Sequence, residues 1–354
     1  MKCNNTLKTV ALIVSTVLVQ SLFSACEKVD ITPDPIAVEG KAIILNNGNW
    51  GSNDACITLY DLNENTSQPS AFLQTNNYGL GDLGQDICKA ADGKLFISVS
   101  GSKTVFMTDN TLKVQSSIPL GFQPRYFAVN GNDIYVSLYE GYLAHLKDGR
   151  FYGMTKVGPN PEGVAIYDGK AYVANSGGMV QNEQKEYIYN NTVSVVDLNN
   201  FTETSTITVG TNPQKVCLLG SNIYVNCWGN YNDIPASLYR INGNQADIVL
   251  PEELNGVYSI ACDGDRLYVL CCTHDENWNT VGSVKVINKG FEDKVITLVD
   301  NIDLAYSISA GSNGFYVGCS DYKTEGKVLA YNTGGEFLFS TPSYGLNPQA
   351  VLEY

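Results

Sequence analysis

The sequence predicts an all-β fold, a seven-bladed β-propeller, on two observations. A turn followed by an aromatic–valine strand recurs along the chain, as in DGKLFIS (92–98), DGKAYVA (168–174) and GSNGFYVG (311–318). The spacings are 39, 37, 52, 44 and 48 residues, measured between the strand aromatics Phe96, Tyr135, Tyr172, Tyr224, Tyr268 and Tyr316. A period of roughly 40 to 50 residues built from short strands and turns is that of propeller blades. A further copy, EGKAIILN (39–46), matches DGKAYVAN (168–175) in pattern and makes seven blades.

Each blade is expected to hold four antiparallel strands, A to D from the axis outward. Strand A is rich in small residues, as in PEGVAIY (161–167), because inner strands crowd the axis; strand B is the aromatic–valine strand. Strand C reads TVSVVDL (192–198) and the outer strand D reads STITVG (205–210). Tight Asx/Gly turns join A to B. Function should therefore collect at the opposite end, in the B–C loops and D–A links. The additional residues of the longer blades are expected only in the loop after strand B.

The ends of the chain are expected to close the ring. The N-terminal copy lacks a strand A, and GLNPQAVLEY (345–354) matches a D–A link plus strand A such as GPNPEGVAIY (158–167). A propeller must hide its strand edges, and a closed circle does so when both ends share a blade. We therefore expect Ala350 to Tyr354 to pair with Ala42 to Leu45 as strands A and B of blade 1.

The N-terminus reads as a lipoprotein signal. Lys2 and Lys8 precede an apolar run too short to span a bilayer, which ends on LFSAC (22–26). A cysteine directly after a small-residue cleavage site resembles a bacterial lipobox, which implies that Cys26 is lipidated. An ordinary cleaved signal with an incidental cysteine is the alternative. The predicted segments are a signal peptide (1–25), a lipidated cysteine with a tether (26–38) and the propeller (39–354).

Charge and histidine content bound the function. The formal net charge of −14 argues against nucleic acid as a partner, because proteins approach phosphates with Lys and Arg. The two histidines are His145, at a strand C position, and His274, in a B–C loop. They assemble no Ser-His-Asp set by spacing, and the sequence has no phosphate loop and no two-histidine metal spacing. We predict a protein that is not an enzyme and needs no cofactor or metal.

Aromatic residues concentrate in the B–C loops. All three tryptophans of the chain are expected in these loops, together with four of its tyrosines. The candidate ligand-binding residues of the loops are Trp50, Tyr139, Tyr187, Trp228, Tyr231, Trp278 and Tyr322. Because blades 5, 6, 7 and 1 are consecutive in a closed ring, their loops could form one aromatic wall. Rings with polar handles beside Asn suit a face that buries a large amphipathic ligand. The alternative is that these rings plug the funnel or pack the loops on each other.

The D–A links supply a second set of candidate ligand-binding residues. Four links contain a proline, and the residue after it differs each time: Arg125, Glu162, Gln214 and Gln349. Their variety suits ligand recognition, although hydrated funnel residues would look the same.

Three cysteines share one repeat position on strand B and are expected to be small buried hydrophobes: Cys227, Cys271 and Cys319. A hairpin disulfide such as Cys217–Cys227 is conceivable in an oxidising compartment.

Two stretches carry a family resemblance. YVANS (172–176) and NNTVSVVDLNNFTETSTITVGTNPQKV (190–216) closely resemble the YVTN repeats of YncE-like and surface-layer propellers. No Trp-Asp dipeptide of WD repeats occurs, and the chain does not carry the Gly-Gly pair in each blade that kelch repeats need. A lipidated, acidic, YVTN-like propeller with Trp-, Tyr- and Asn-rich loops resembles the BtuG proteins of Bacteroidetes.

That resemblance implies a lipoprotein of the outer membrane, held by its lipid alone and facing the cell exterior. It also implies that the protein binds cobalamin or a related corrinoid and passes it to a TonB-dependent transporter of the BtuB type. Two alternatives stay open. One is a protein-interaction or surface-layer propeller without a small ligand. The other is a lyase-like propeller enzyme that uses His274.

Overall fold

The structure is a computed structural model that describes residues 40–178, 180–182, 186–250, 252–276 and 279–354. The predicted signal peptide, Cys26 and the tether lie outside this part of the chain, as does Trp278. Among the described residues, no helix combines the length and apolar character that a membrane crossing requires.

The predicted all-β propeller is confirmed: seven four-stranded antiparallel sheets form the blades. Blade 1 takes its first three strands and a short helix from the N-terminal end: β1 (Lys41–Asn46), β2 (Cys56–Asp61), β3 (Thr66–Gln68) and α1 (Ala71–Asn76). Blade 2 holds β4 (Gly84–Lys89), β5 (Leu95–Val99), β6 (Thr104–Thr108) and β7 (Val114–Pro119). Blade 3 holds β8 (Pro124–Asn130), β9 (Asp133–Leu138), β10 (Tyr142–Lys147) and β11 (Arg150–Lys156).

Blade 4 carries a two-stranded hairpin, β14–β15, inside its B–C loop. Its strands are β12 (Pro161–Tyr167), β13 (Lys170–Asn175), β14 (Val180–Gln181), β15 (Tyr187–Ile188), β16 (Thr192–Asp197) and β17 (Thr202–Thr208). Blade 5 holds β18 (Pro213–Leu219), β19 (Asn222–Cys227), β20 (Ser237–Asn242) and β21 (Gln245–Val249). Blade 6 holds β22 (Val257–Cys262), β23 (Arg266–His274), β24 (Thr280–Asn288) and β25 (Val295–Asp303). Blade 7 holds β26 (Ala305–Gly311), β27 (Gly314–Cys319), β28 (Lys327–Asn332) and β29 (Phe337–Pro342).

The last strand, β30 (Pro348–Glu353), closes the ring as strand A of blade 1. It pairs antiparallel with β1, with Ala350 opposite Leu45 and Glu353 opposite Ala42. The N–H of Tyr354 donates to the carbonyl of Lys41 at 3.1 Å. The predicted pairing of the two chain ends is therefore confirmed.

Burial between neighbouring blades explains why the aromatic–valine pattern forms strand B. Tyr172 of blade 4 shares a buried cluster with Val216 and Ile223 of blade 5. The strand B rings of Tyr224 and Tyr268 are fully buried. Each large apolar side chain contributes roughly 1.5–3 kcal/mol when it is removed from water. A strand with both faces covered selects Val, Ile and aromatic residues at successive positions.

Two expectations about strand positions are wrong. Extra length was expected only after strand B, but residues 69–83, which include α1, lie between strand D of blade 1 and strand A of blade 2. This insertion contributes to the hydrophobic core, because Ala71 and Phe72 of α1 are buried against blades 1 and 2. The outer strand of blade 4 spans Thr202–Thr208 rather than residues 205–210.

The strand B cysteines are buried as the repeat predicts, but the Cys217–Cys227 disulfide does not fit the structure. Cys227, Cys271 and Cys319 are buried as expected. The pairing of β18 with β19 places Cys217 opposite Tyr224 and Cys227 opposite Pro213, so these two cysteines are not neighbours. Cys217 instead contacts Cys262, on the inner strand of the adjacent blade. A hairpin disulfide Cys217–Cys227 is therefore wrong.

Candidate functional site

A repeated hydrogen bond fixes the end of the propeller that carries the B–C loops. In six blades the residue after strand B donates its N–H to the carbonyl of the residue before strand A; in blade 6 the same bond to Gly256 comes from Cys272, inside the longer strand β23. Trp228 donates to Asn212 at 3.0 Å in this way, and Tyr139 donates to Gln123 at 2.9 Å. Asn212 has a φ of 61°, a left-handed conformation that Asn tolerates well. The residue before strand A therefore holds the backbone of Trp228 in place, and Asn160 and Asn347 play the same part in blades 4 and 1.

Each of the seven inner strands has an irregular register directly after its first residue. A bulge of this kind re-aims the side chain at that position. We call the residues at this position the bulge ring: Gln85, Arg125, Glu162, Gln214, Tyr258, Tyr306 and Gln349. All except Glu162 line a funnel around the axis, on the face of the B–C loops. The funnel has a cavity volume of about 250 Å³, slightly below the ~300–1,000 Å³ of typical small-molecule sites, so a large ligand would extend into its open mouth.

Blades 2 to 4 form a charged side of this funnel. The Arg125 guanidinium donates from Nε to Glu162 Oε2 at 2.8 Å and from Nη2 to Glu162 Oε1 at 3.1 Å. Its Nη1 donates to Gln85 Oε1 at 2.7 Å, and the guanidinium lies 5.2 Å from the ring centre of Tyr139. Glu162 is 3% exposed, so the carboxylate lies behind the arginine. Burial raises the pKa of Tyr139 to about 12, which keeps its hydroxyl neutral.

Blades 4 to 7 form an aromatic side. We call this continuous series of rings the aromatic arc: Tyr189, Tyr231, Trp228, Tyr258, Tyr322 and Tyr306. Trp228 stacks on Tyr258 with ring centres 5.4 Å apart and planes 14° apart. Its Nε1 donates to the Tyr258 carbonyl at 2.6 Å. Because the indole nitrogen already has a partner, the half-buried ring of Trp228 offers its remaining apolar surface to the funnel.

A hydrogen-bonded floor separates the funnel from the channel below. The hydroxyl of Tyr306 donates to Gln349 Oε1 at 2.9 Å, and Gln349 Nε2 donates to the hydroxyl of Tyr126 at 3.3 Å. Lys215 Nζ lies 5.4 Å from the ring centre of Tyr126. Tyr126 and Lys215 line both the funnel and the channel below it, which also contains Asp86. The floor joins blades 1, 3, 5 and 7 and lies between the funnel and the channel.

The structure brings together most of the candidate residues. Arg125, Gln214 and Gln349 line the funnel, with Glu162 directly behind Arg125, and they begin the inner strands rather than lying in links. Tyr139, Trp228, Tyr231 and Tyr322 surround them in the expected loops. Tyr187 lies on the β14–β15 hairpin, half-exposed, and contacts Tyr189 at the edge of the arc.

The aromatic wall differs in extent from the expected one. It runs over blades 4 to 7 rather than blades 5, 6, 7 and 1. Trp50 is 68% exposed in the B–C loop of blade 1 and is not among the funnel residues. Trp278 lies outside the described residues. The bulge-ring members Gln85, Tyr258 and Tyr306 were not expected from the sequence.

Neither histidine is among the residues that line the funnel. His145 Nε2 lies 2.7 Å from Asp133 Oδ1, and its ring stacks on Tyr135 in blade 3. His274 is exposed and is the last residue of β23 rather than a loop residue. Among the described residues, no group of three or more His, Cys, Asp or Glu side chains could hold a metal ion.

Asp86 should make the stability of the propeller depend on pH. Burial raises its pKa from 3.8 to about 6, although the Phe127 N–H and Lys215 both favour the charged form. The stability it contributes is present below pH about 4 and is lost as the pH rises through about 6. We expect Asp86→Asn to gain about 1–3 kcal/mol of unfolding free energy at pH 7, since each unit of pKa is worth about 1.4 kcal/mol. Urea unfolding of the variant and of the unmodified protein, at about pH 4 and about pH 7, measures this gain.

The control for that prediction is Asp247→Asn, an exposed substitution on the outer strand of blade 5. As an exposed surface substitution it should change the unfolding free energy by less than about 0.5 kcal/mol. An Asp86→Asn variant whose effect is the same at pH 4 and pH 7 would contradict the argument.

Solved structures with similar folds are propellers of varied function. The hydrazine synthase of Kuenenia stuttgartiensis matches with a TM-score of 0.59 and 19% identity over 75% of this chain and 88% of that one. A candidate 6-phosphogluconolactonase from Bacteroides fragilis matches with a TM-score of 0.55 and 13% identity, over 91% and 100%. A streptogramin B lyase matches with a TM-score of 0.52 and 10% identity, over 85% and 87%. At these identities the likeness shows the propeller fold alone.

No protein-family model matches the sequence, and no curated protein matches it significantly. The fold is thus a seven-bladed propeller, a class that hosts many unrelated functions. The function must be argued from the funnel itself.

Proposed function

We propose that this protein is a binding protein, and that its funnel holds a large, flat, amphipathic ligand with neutral polar groups on its edge. The observation that carries this proposal is the meeting of the aromatic arc with the amide- and hydroxyl-bearing bulge ring in one funnel. Aromatic walls with a few converging polar groups are typical of small-molecule sites. Burial, with Tyr322 beside it, raises the pKa of Tyr258, so its hydroxyl stays neutral.

Within this class we propose cobalamin or a related corrinoid, on the resemblance to the BtuG proteins. A corrin has flat faces that suit indole and phenol rings, and its rim carries carboxamides. Gln214 and Gln349 have side-chain amides that can both donate and accept, as such a rim requires. The whole ligand would fill the funnel and extend into its mouth, where Tyr231 and Tyr322 are exposed.

The proposal extends to cellular role. A lipid on Cys26 would hold the protein at the outer membrane, facing the exterior, and a TonB-dependent transporter of the BtuB type would receive the corrinoid. This part of the proposal rests on the N-terminal sequence and on the family resemblance.

The test is a titration of the soluble chain (residues 27–354) with cyanocobalamin, followed by calorimetry and by visible absorbance. We expect saturable binding with an affinity that changes by less than about threefold between about 0.05 and 0.5 M salt, because rings and neutral amides are insensitive to screening. A strong decrease in affinity with salt would indicate ion pairing instead.

Two other outcomes would favour the remaining functions. No binding at micromolar cyanocobalamin would contradict the corrinoid proposal and favour an interaction propeller. Conversion of the bound molecule, seen as a changed mass or visible spectrum, would indicate an enzyme.

A further inference from the structure

We propose that the funnel accepts ligands whose polar edge carries neutral amides and rejects the matching carboxylates, with Glu162 as the residue that sets this preference. The inference rests on the proposed function for its site, but it concerns the charge of the site rather than the identity of the ligand. It follows from how Arg125, the one arginine among the described residues of the funnel lining, is neutralised.

Glu162 occupies the side of Arg125 that faces away from the funnel. Both oxygens of its carboxylate accept from the guanidinium, at 2.8 and 3.1 Å, in a bidentate pair. The carboxylate is 3% exposed, whereas Arg125 lines the funnel. A ligand therefore meets an arginine whose charge is already compensated from behind.

The geometry leaves Arg125 able to bind an amide. Three of the five guanidinium N–H groups are used by Glu162 and Gln85, so two remain to donate. A ligand carbonyl can accept one of them without losing the strong hydration of a charged group. A ligand carboxylate would lose that hydration, would find the best bidentate position occupied, and would approach a buried anion.

The other charges near the funnel do not offset this. Lys215 faces the ring of Tyr126 at the floor, and the carboxylate of Asp86 lies in the channel directly beneath it and attracts it. The formal net charge of −14 adds a general repulsion of anions. Each of the two cations in the described lining is therefore opposed by a nearby carboxylate.

The first arm of the test compares cyanocobalamin with a monocarboxylic acid derived from it by hydrolysis of one rim amide. The unmodified protein should bind the amide form at least about tenfold more tightly, a difference of about 1.4 kcal/mol. In Glu162→Gln the uncompensated guanidinium should bring the acid form to equal or tighter binding. Glu140→Gln is the matched control, because it removes the same charge from an exposed carboxylate at Gln123; its preference should stay that of the unmodified protein.

The second arm uses benzoate and benzamide, observed by ligand-detected NMR. Benzoate should bind Glu162→Gln and fail to bind the unmodified protein, whatever the outcome with corrinoids. Absence of cyanocobalamin binding would thus refute the proposed function while this arm still judges the inference. Equal binding of acid and amide by the unmodified protein, or the same preference in both glutamine variants, would overturn it. Thermal melting checks that the variants fold; if Glu162→Gln does not, the comparison of acid and amide in the unmodified protein decides.

Discussion

Removal of residues 346–354 should unfold the propeller at ordinary temperatures, while removal of residues 30–38 should leave its stability nearly unchanged. The first deletion takes away β30, the inner strand of blade 1, and exposes the edge of β1. It also removes buried side chains, including Asn347, Ala350 and Val351. An inner strand packs on both neighbouring blades, so its loss leaves a gap at the point where the ring closes.

The hydrogen bonds of this strand reach blades 1 and 7. Asn347 Nδ2 donates to the Gly48 carbonyl at 2.9 Å, and Ser307 Oγ donates to the Pro348 carbonyl at 2.5 Å. Tyr316 donates to Glu353 Oε1 at 2.6 Å. At about 1 kcal/mol for each net hydrogen bond, with the lost apolar burial added, the cost is on the order of 5 kcal/mol or more. That is comparable to the whole stability of many domains.

Chemical denaturation of the two deletion variants, starting from residues 27–354, measures the difference. We expect a cooperative transition for the variant without residues 30–38 and none, or one at much lower denaturant, for the variant without residues 346–354. Equal midpoints would contradict the closure of the ring by strand pairing.

The second large effect concerns Trp228. Trp228→Ala should weaken ligand binding by roughly 1–4 kcal/mol, the range of aromatic hot spots. The substitution removes the ring that stacks on Tyr258 and thus breaks the aromatic arc in its middle. Folding should survive, because the indole is only half-buried and its backbone N–H keeps its bond to Asn212. Trp228→Phe should give an intermediate loss, since it keeps a ring but not the Nε1–H bond to the Tyr258 carbonyl.

Trp50→Ala is the control for this prediction. Trp50 also follows strand B, but it is 68% exposed and lies outside the funnel lining. Calorimetric titration with cyanocobalamin should give the unmodified affinity for Trp50→Ala. Full affinity in Trp228→Ala would place the binding site elsewhere.

The fold could be predicted from the sequence because each blade repeats one physical requirement. A strand covered on both faces needs apolar residues at successive positions, and a tight turn before it needs Asp, Asn or Gly. The pairing of the two chain ends could be predicted for the same reason. The N-terminal repeat lacked a strand A, and the C-terminal segment matched a strand A with no blade of its own. Helix α1 was missed because six residues are too few to show helical periodicity, and its stability depends on the burial of Ala71 and Phe72.

The site was only half predictable. Arg125, Glu162, Gln214 and Gln349 were found through the proline before them, but the same position in blades 2, 6 and 7 follows Gly84, Val257 and Ala305. A signal was present: Tyr258 and Tyr306 lie ten residues before the strand B aromatics Tyr268 and Tyr316, as Arg125 does before Tyr135. The aromatic arc could not be predicted from residue spacing. The contacts between its rings depend on the conformation of each loop, which the repeat does not determine.

The first described strand enters the ring on the face opposite to the funnel. β1 begins at Lys41, beside Tyr354, at the end of the propeller where the A–B turns lie. The funnel opens at the other end, among the B–C loops. Under the lipid anchoring proposed above, the chain would enter the propeller on the face opposite to the funnel.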